Sequence, residues 1–288
     1  MQHNQVKNNN AIKRSGEWHT RIQPSRGWSG LNLGELWSYR DLFWILAWRD
    51  VKLRYRQTAL GVTWVILQPI LTSGIFAVVF GLLAELPSGE SPYLLFAFAG
   101  TLPWILFSQS LSRAGGSLVG SRDMISKVYF PRMILPIAST FSVMVDFIVG
   151  LASMGVLFLI YRVPLTWRLS VIPGLVVINL LIAIGVSFWV SAFSVHYRDF
   201  IYVLPFLTQA WMYASPVAYS SEIVPEAWLT VYALNPMVGI IDGFRWALLG
   251  QGEFSWVSIG ISFGVGVIVF LAGAFVFRRV ERSFADVV

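Results

Sequence analysis

Residues 61–83 read GVTWVILQPILTSGIFAVVFGLL, and this run of 23 residues without a charged side chain decides the fold class. A helix needs about 20 predominantly apolar residues to cross a hydrocarbon core of roughly 30 Å. Five further runs of similar character follow. The sequence therefore predicts an all-α integral membrane protein with six transmembrane helices, over the approximate ranges 61–83, 93–111, 133–160, 169–193, 201–218 and 256–277.

Positive charge is concentrated in alternate gaps between these runs. Residues 1–60 hold ten Lys and Arg, the gap 84–92 holds none, and residues 112–132 hold four. Over the whole chain, 18 of the 21 Lys and Arg fall in one set of alternate segments. Lys and Arg collect in cytoplasmic loops. The pattern therefore predicts a multi-pass protein with both termini in the cytoplasm.

The composition indicates the same class. The chain is 56% hydrophobic and 12% charged, whereas soluble domains average about 25% charged residues. The net charge of +6 comes from cations that flank apolar runs and suit anionic lipid headgroups, so no nucleic-acid partner is predicted. The absence of Cys excludes disulfides and thiolate sites. The three His have no His or carboxylate at metal-ligand spacing, so no metal site is predicted.

Two segments precede the first apolar run. Residues 1–30 are polar, lack the apolar centre of a cleavable signal peptide, and are predicted to form a flexible cytoplasmic tail. Residues 31–57 carry apolar side chains at the spacing of one helix face and are predicted to form an amphipathic helix on the inner membrane surface, ahead of a membrane domain at 58–288. The alternative is a soluble helix packed on the protein. The tryptophans and cations that favour the membrane surface are Trp44, Trp48, Arg49, Lys52, Arg54 and Arg56.

The connection between the second and third runs is predicted to contain a short cytoplasmic helix. Residues 117–129 combine charged side chains with a few apolar ones, and Pro131 would stop a helix because proline lacks the backbone donor. Such a helix suits docking to a partner protein. An ordinary solvated loop helix explains the pattern equally well.

The connection between the fifth and sixth runs is predicted to form an external helical hairpin. Pro225 would begin a short helix to residue 233, and Asn235-Pro236 is a start signal for a second helix. Gly250 suits its C-terminal cap. This second helix is mostly apolar but only about 14 residues long, so we expect it to dip into, or lie on, the outer membrane layer. Asp242 and Arg245, three positions apart on this helix, are placed to pair.

Catalytic and nucleotide-binding signals are missing from the sequence. There is no G-x-x-x-x-G-K-[ST] loop, and none of the four Lys follows a Gly. A nucleotide would have to bind a separate chain, and neither an enzyme activity nor a cofactor is predicted for this one. The strong charge inside a predicted span is Asp146. An intramembrane carboxylate is a functional candidate, although a packing contact to a serine or a backbone amide is the alternative.

Aromatic residues make up 15% of the chain. A sugar ring presents an apolar C–H face that packs against an aromatic plane, so aromatic side chains are able to line a polysaccharide path without gripping one sugar. Packing in the core or against lipid is the competing explanation. The candidates for the path are Trp64, Phe76, Phe80, Trp104, Phe107, Trp189 and Phe193.

Several strings resemble one known family. YRDLFWILAWRDVKLRYRQTALGVTWVILQP at 39–69 is similar to the start of the ABC-2 type permeases that export polysaccharides such as the O-antigen. SRDMISKVYFPR at 121–132 resembles their first coupling segment, and HYRDF at 196–200 their second cytoplasmic turn. LNPM at 234–237 and FRRVERSFAD at 277–286 also fit. The resemblance extends over nearly the whole chain from residue 31 onward.

The resemblance implies a transmembrane subunit that works as a homodimer with two copies of a nucleotide-binding ABC ATPase, which would hold ATP and Mg²⁺. The substrate would be a polysaccharide linked to undecaprenyl diphosphate, such as the O-antigen used in lipopolysaccharide biosynthesis, exported across the bacterial inner membrane. Teichoic acid, capsule, lipid and drug exporters are related alternatives. The residues implied in coupling to the ATPase are Ser121, Arg122, Asp123, Lys127, Arg198 and Asp199.

Two other classes of function remain open on the residues alone. An ion-coupled secondary transporter would need paired intramembrane charges or inverted halves, and neither is visible in the sequence. A membrane enzyme that acts on polyprenyl lipids would need acidic residues gathered at one face of the membrane. The outer carboxylates are instead scattered over 222–253.

Overall fold

The computed structural model describes residues 33–56, 61–197, 199–252 and 254–281, and these residues form helices and connections without a β-strand. The predicted tail at 1–30 and the coupling candidate Arg198 lie outside the described residues. The all-α prediction is confirmed. In chain order the helices are α1 (Leu33–Ser38), α2 (Arg40–Arg56), α3 (Gly61–Phe76), α4 (Tyr93–Ser117), α5 (Arg122–Lys127), α6 (Ile134–Tyr161), α7 (Ile172–His196), α8 (Phe200–Tyr213), α9 (Glu226–Ala233), α10 (Pro236–Leu249) and α11 (Trp256–Glu281).

Within the described part of the chain, five stretches are long and apolar enough to cross a membrane. They are Thr63–Leu83, Tyr93–Ser117, Ile134–Tyr161, Trp167–His196 and Trp256–Glu281, and they match five of the six predicted runs. The first consists of α3 and the π-helix that continues it over Ala77–Leu83. α4 is the central helix, because most of its side chains are buried and it packs against α3, α6, α7 and α10.

The predicted span at 201–218 differs from the structure. Its helical part, α8, has 14 residues, which gives about 21 Å at 1.5 Å per residue and falls short of a hydrocarbon core of roughly 30 Å. The chain then continues in turns. Side chains satisfy the backbone there: Tyr93 donates to the carbonyl of Ala218 at 2.6 Å, and Arg245 donates to the carbonyls of Val217 and Tyr219 at 2.9 Å each. Irregular backbone is tolerated inside a membrane protein where such groups pair it.

Two ends of the bundle are defined by contacts between distant segments. At one end, the backbone amide of Arg132 donates to Glu281 at 2.9 Å, and Glu35 lies 3.7 Å from Arg278 and 3.4 Å from the hydroxyl of Tyr129. The segment before α6, the start of α1 and the end of α11 therefore meet at this end, which we call the basic end. The connections 84–92 and 214–219 lie at the other end, which we call the outer end.

The segment between α8 and α11 forms two helices near the outer end. The Asn235 side chain accepts a hydrogen bond from the amide of Met237, and Gly250 ends α10 with φ at 72°. The position of α10 relative to the outer membrane layer stays a prediction. α10 packs against α4, α7 and α11 with most of its side chains buried.

Candidate functional site

A buried ion-pair cluster centres on Asp146 in the middle of α6. Arg54 of α2 lies 2.7 Å from one carboxylate oxygen, and Arg113 of α4 donates to the same oxygen. Tyr55 of α2 donates to the other oxygen at 2.6 Å. The Asp146 side chain is only 5% exposed. The intramembrane carboxylate is therefore held by two guanidinium groups and a phenol.

The cluster joins three helices and carries an excess of positive charge, because two arginines share one carboxylate. Burial and the hydrogen bond to Asp146 raise the pKa of Tyr55, so its hydroxyl stays protonated and keeps donating. Arg113 also donates to the hydroxyl of Ser142 at 2.8 Å. A buried charge is costly unless it is paired and hydrogen-bonded, so these contacts tie α2 to α4 and α6.

A cavity of about 510 Å³ lies beside the cluster, between α2, the end of α4 and the start of α6. Its lining includes Arg54 and Arg113 together with Arg49, which is paired with Asp50 at 2.9 Å. A Cβ added at Gly116, another lining residue, would meet no atom within 4 Å. The predicted second span ends at residue 111, but the helix continues beyond it. It ends at Ser117 and forms one wall of the cavity.

The predicted amphipathic helix is interrupted at Tyr39 into α1 and α2. Leu46, Ala47 and Val51 are buried, and α2 packs against α6. Trp44 and Trp48 are 56% and 57% exposed, and the Trp44 ring also makes an edge contact with Phe141 of α6, with 5.4 Å between the ring centroids. One face of α2 therefore packs on the protein, and the placement of the other face in a headgroup layer stays a prediction. The cations Arg49, Lys52 and Arg56 are exposed, and Arg54 is half-buried.

The predicted coupling residues lie near the ends of α4 and α7, which are adjacent because Ser191 donates to the carbonyl of Ala114 at 2.8 Å. Ser121 is buried at the start of α5 and Arg122 is half-buried. Three further candidates project outward with exposed side chains: Asp123, Lys127 and Asp199. A role in contacting an ATPase remains a prediction for all of them.

The aromatic candidates for a glycan path do not form one surface in a single chain. Trp64 and Phe193 are 52% and 40% exposed, whereas Phe80 and Trp189 are half-buried in contact with neighbouring rings. Three others are buried in the bundle core: Phe76, Trp104 and Phe107. Their place on a path therefore remains a prediction, and the buried three pack against other helices in this conformation.

The sequence reasoning named Asp146 but missed its partners. Arg113 was counted only as a loop charge, and Tyr55 only as one position on a helix face. A lone carboxylate inside an apolar run was the signal that basic partners had to exist. Arg245 was considered only as a partner for Asp242, from which it lies 3.7 Å. It is 3% exposed and bonds carbonyls of the turn after α8.

Comparison with known protein families gives a match that covers most of the chain. The model of the family described as "ABC-2 type transporter" matches residues 41–249, which include the cluster at Asp146, α5 and most of the predicted spans.

Curated relatives match over most of their length. The chain is 28% identical to the O-antigen export system permease protein RfbA of Myxococcus xanthus, over 88% of this chain and 97% of the relative. It is 25% identical to a protein of the same name from Klebsiella pneumoniae, over 89% and 97%. The polysialic acid transport protein KpsM of Escherichia coli is 21% identical, over 82% and 90%.

Proposed function

We propose that this chain, which belongs to the ABC-2 type transporter family, is the membrane-spanning permease subunit of a polysaccharide exporter. The observation that carries the proposal is full-length similarity: the chain covers 97% of two relatives named as O-antigen export permeases. A third relative is named for polysialic acid transport, so both kinds of relative move a glycan. The substrate we propose is an O-antigen polysaccharide linked to undecaprenyl diphosphate, and the compartment is the bacterial inner membrane.

The geometry supports a topology with both ends in the cytoplasm. The start of α1 and the end of α11 meet at the basic end, and this requires an even number of crossings between them. The five long helices account for five crossings. α8 and the turn after it lead from the end of α7 to Ala218, which contacts Tyr93 at the start of α4, and supply the sixth. The distribution of Lys and Arg assigns the basic end to the cytoplasm.

The proposed energy source is a separate ABC ATPase, present in two copies with a homodimer of this chain. α5 is the proposed contact, because it projects from the basic end with Asp123 and Lys127 exposed. The ion-pair cluster gives a route inward, since α4 leads from α5 directly to Arg113. The same cluster argues against an ion-coupled transporter. A proton or sodium relay needs a carboxylate that is free to exchange its cation, whereas Asp146 is paired with Arg54 and Arg113.

Deletion of the gene in the cell that encodes it tests the proposal. We expect loss of surface polysaccharide and accumulation of the lipid-linked polysaccharide on the cytoplasmic side, measured by whole-cell immunoblotting and by analysis of the extracted lipid pool. The wild-type chain should restore export, and pull-down through a tag on this chain should recover an ATPase with a phosphate-binding loop. Normal surface polysaccharide in the deletion strain would refute the proposed function.

A further inference from the structure

A second cavity lies at the outer end of the bundle and has no assigned role. Its volume is about 370 Å³, within the usual range for small-ligand sites. The connection 84–92, the turn after Tyr219, α10 and the residues just after α10 surround it. The polar side chains in its lining that matter here are Glu222, Asp242, Arg245 and Gln251.

Gln251 provides an unpaired amide in this cavity. Both its Nε2 and its Oε1 are buried, and among the described residues neither has a hydrogen-bond partner. The amide lies against Gly89, where an added Cβ would stand 2.9 Å from Nε2 and where φ is 67°. A glycine at this position therefore leaves room for the amide. Buried polar groups in native structures are nearly always paired. We therefore expect the Gln251 amide to form hydrogen bonds with a group that is not among the described residues.

The charged side chains that line the cavity determine which kind of ligand it is able to bind. Arg245 is already engaged: it donates to the carbonyls of Phe96, Val217 and Tyr219, and its guanidinium stacks 3.8 Å above the Phe96 ring. Glu222 is exposed. Asp242 accepts a hydrogen bond from Ser221 at 2.5 Å and lies 3.7 Å from Arg245, and its two carboxylate oxygens retain acceptor capacity for a ligand. Two carboxylates repel a phosphate or another anion and accept hydrogen bonds from hydroxyl groups.

We infer that this cavity is an exit subsite that binds one or two sugar units of the exported polysaccharide. Adjacent sugar hydroxyls donate to the carboxylates of Asp242 and Glu222, and the Gln251 amide, which both donates and accepts, pairs with a hydroxyl that does the same. The site lies at the end opposite to α5, so a glycan reaches it after crossing the bundle. The inference rests on the proposed function, because it takes the glycan to be the cargo.

Direct binding tests the subsite. The full chain is purified in lipid nanodiscs, and the probe is the lipid-free polysaccharide released by mild acid from the surface of the cells that encode the chain. Affinity is measured by saturation-transfer NMR. Gln251→Leu keeps the size of the side chain and removes both polar atoms, so we expect affinity to fall at least about fivefold. Glu222→Gln should also weaken binding. Glu226→Gln, an exposed carboxylate on α9 outside the cavity lining, is the matched control and should bind as wild type does.

Thermal unfolding separates binding from a structural role. Because the Gln251 amide has no partner among the described residues, Gln251→Leu should unfold at the same temperature as wild type or higher when no polysaccharide is present. A lower unfolding temperature together with weaker binding would show that the amide supports the fold, and would overturn the inference. Unchanged binding by Gln251→Leu would overturn it as well.

Two further outcomes are distinct. If Ca²⁺ raises the unfolding temperature in wild type but not in Glu222→Gln, and the polysaccharide does not bind, the cavity is a cation site and the inference is wrong. If the deletion strain loses export but Gln251→Leu binds polysaccharide like wild type, the exit subsite fails and the proposed function stands.

Discussion

Replacement of Asp146 by Asn tests whether the ion-pair cluster holds α2 against the bundle. The amide retains the shape of the carboxylate but removes the charge that Arg54 and Arg113 share. Removing one partner from a buried ion pair costs about 3–5 kcal/mol. The two arginine side chains are 27% and 19% exposed, so solvent relieves part of the penalty, and we take the lower end, about 3 kcal/mol.

Hydrogen–deuterium exchange in nanodiscs measures this effect locally. If the cost falls on the docking of α2, the protection of its backbone amides should drop by roughly a hundredfold, since about 1.4 kcal/mol corresponds to a factor of ten. Peptides from α7, which contributes nothing to the cluster, should keep their protection.

Arg49→Gln is the matched control on the same helix. Arg49 pairs with Asp50, but its side chain is 43% exposed, and exposed pairs contribute about 1 kcal/mol or less. We expect its effect on α2 exchange to be fivefold at most. Equal exchange of α2 in Asp146→Asn and Arg49→Gln would show that the cluster does not hold the helix, and the reasoning would fail.

Three further variants test other parts of the structure. Lys127→Glu should reduce export and recovery of the ATPase without changing the amount of folded chain, and normal export would argue that α5 is only a solvated helix. Gly100→Ala places a Cβ 2.7 Å from the carbonyl oxygen of Val217 and 2.8 Å from Arg245; this overpacking should cost about 1–3 kcal/mol and lower the unfolding temperature by several degrees, whereas Gly155→Ala, whose Cβ meets nothing within 4 Å, should not. Asn235→Ala removes the cap of α10, so unfolding should become easier by about 1–2 kcal/mol, and equal stability would mean that the cap contributes nothing.

Apolar run length predicted most of the bundle and misjudged one segment. Residues 201–218 contain no charge, so their composition is that of a spanning helix. The helix ends at Tyr213, and Pro216, two residues after the C-cap Ala214, is unable to continue it. The carbonyls of the turn that follows find side-chain donors in other parts of the chain, Tyr93 and Arg245. Such donors are separated from the turn by 28 and 125 positions. A pattern read along one run contains no information about them.

The candidate site was predictable in kind but not in composition. An uncompensated carboxylate in a span implies a basic partner, and that much follows from Asp146 alone. The partner's identity depends on which faces of α2 and α4 turn toward α6. α4 offers Arg113 alone, whereas α2 carries five Lys and Arg that would satisfy the same charge rule. The packing of Leu46, Ala47 and Val51 fixes the rotation of α2 and so selects Arg54. The aromatic candidates stay a prediction for a similar reason, since burial in a bundle and exposure on a path require the same residue types.

The contacts at the basic end make α5 part of a larger unit. Glu35 of α1 lies within reach of both Tyr129 and Arg278, and Arg132 holds the end of α11 through Glu281. A displacement of the segment after α5 therefore acts on the first and last described helices together. It also acts on α4, whose Arg113 shares Asp146 with α2. Because α1 and α2 are consecutive in the chain, both routes end on the same segment. If the proposed ATPase binds α5, α2 is therefore the element we expect to move.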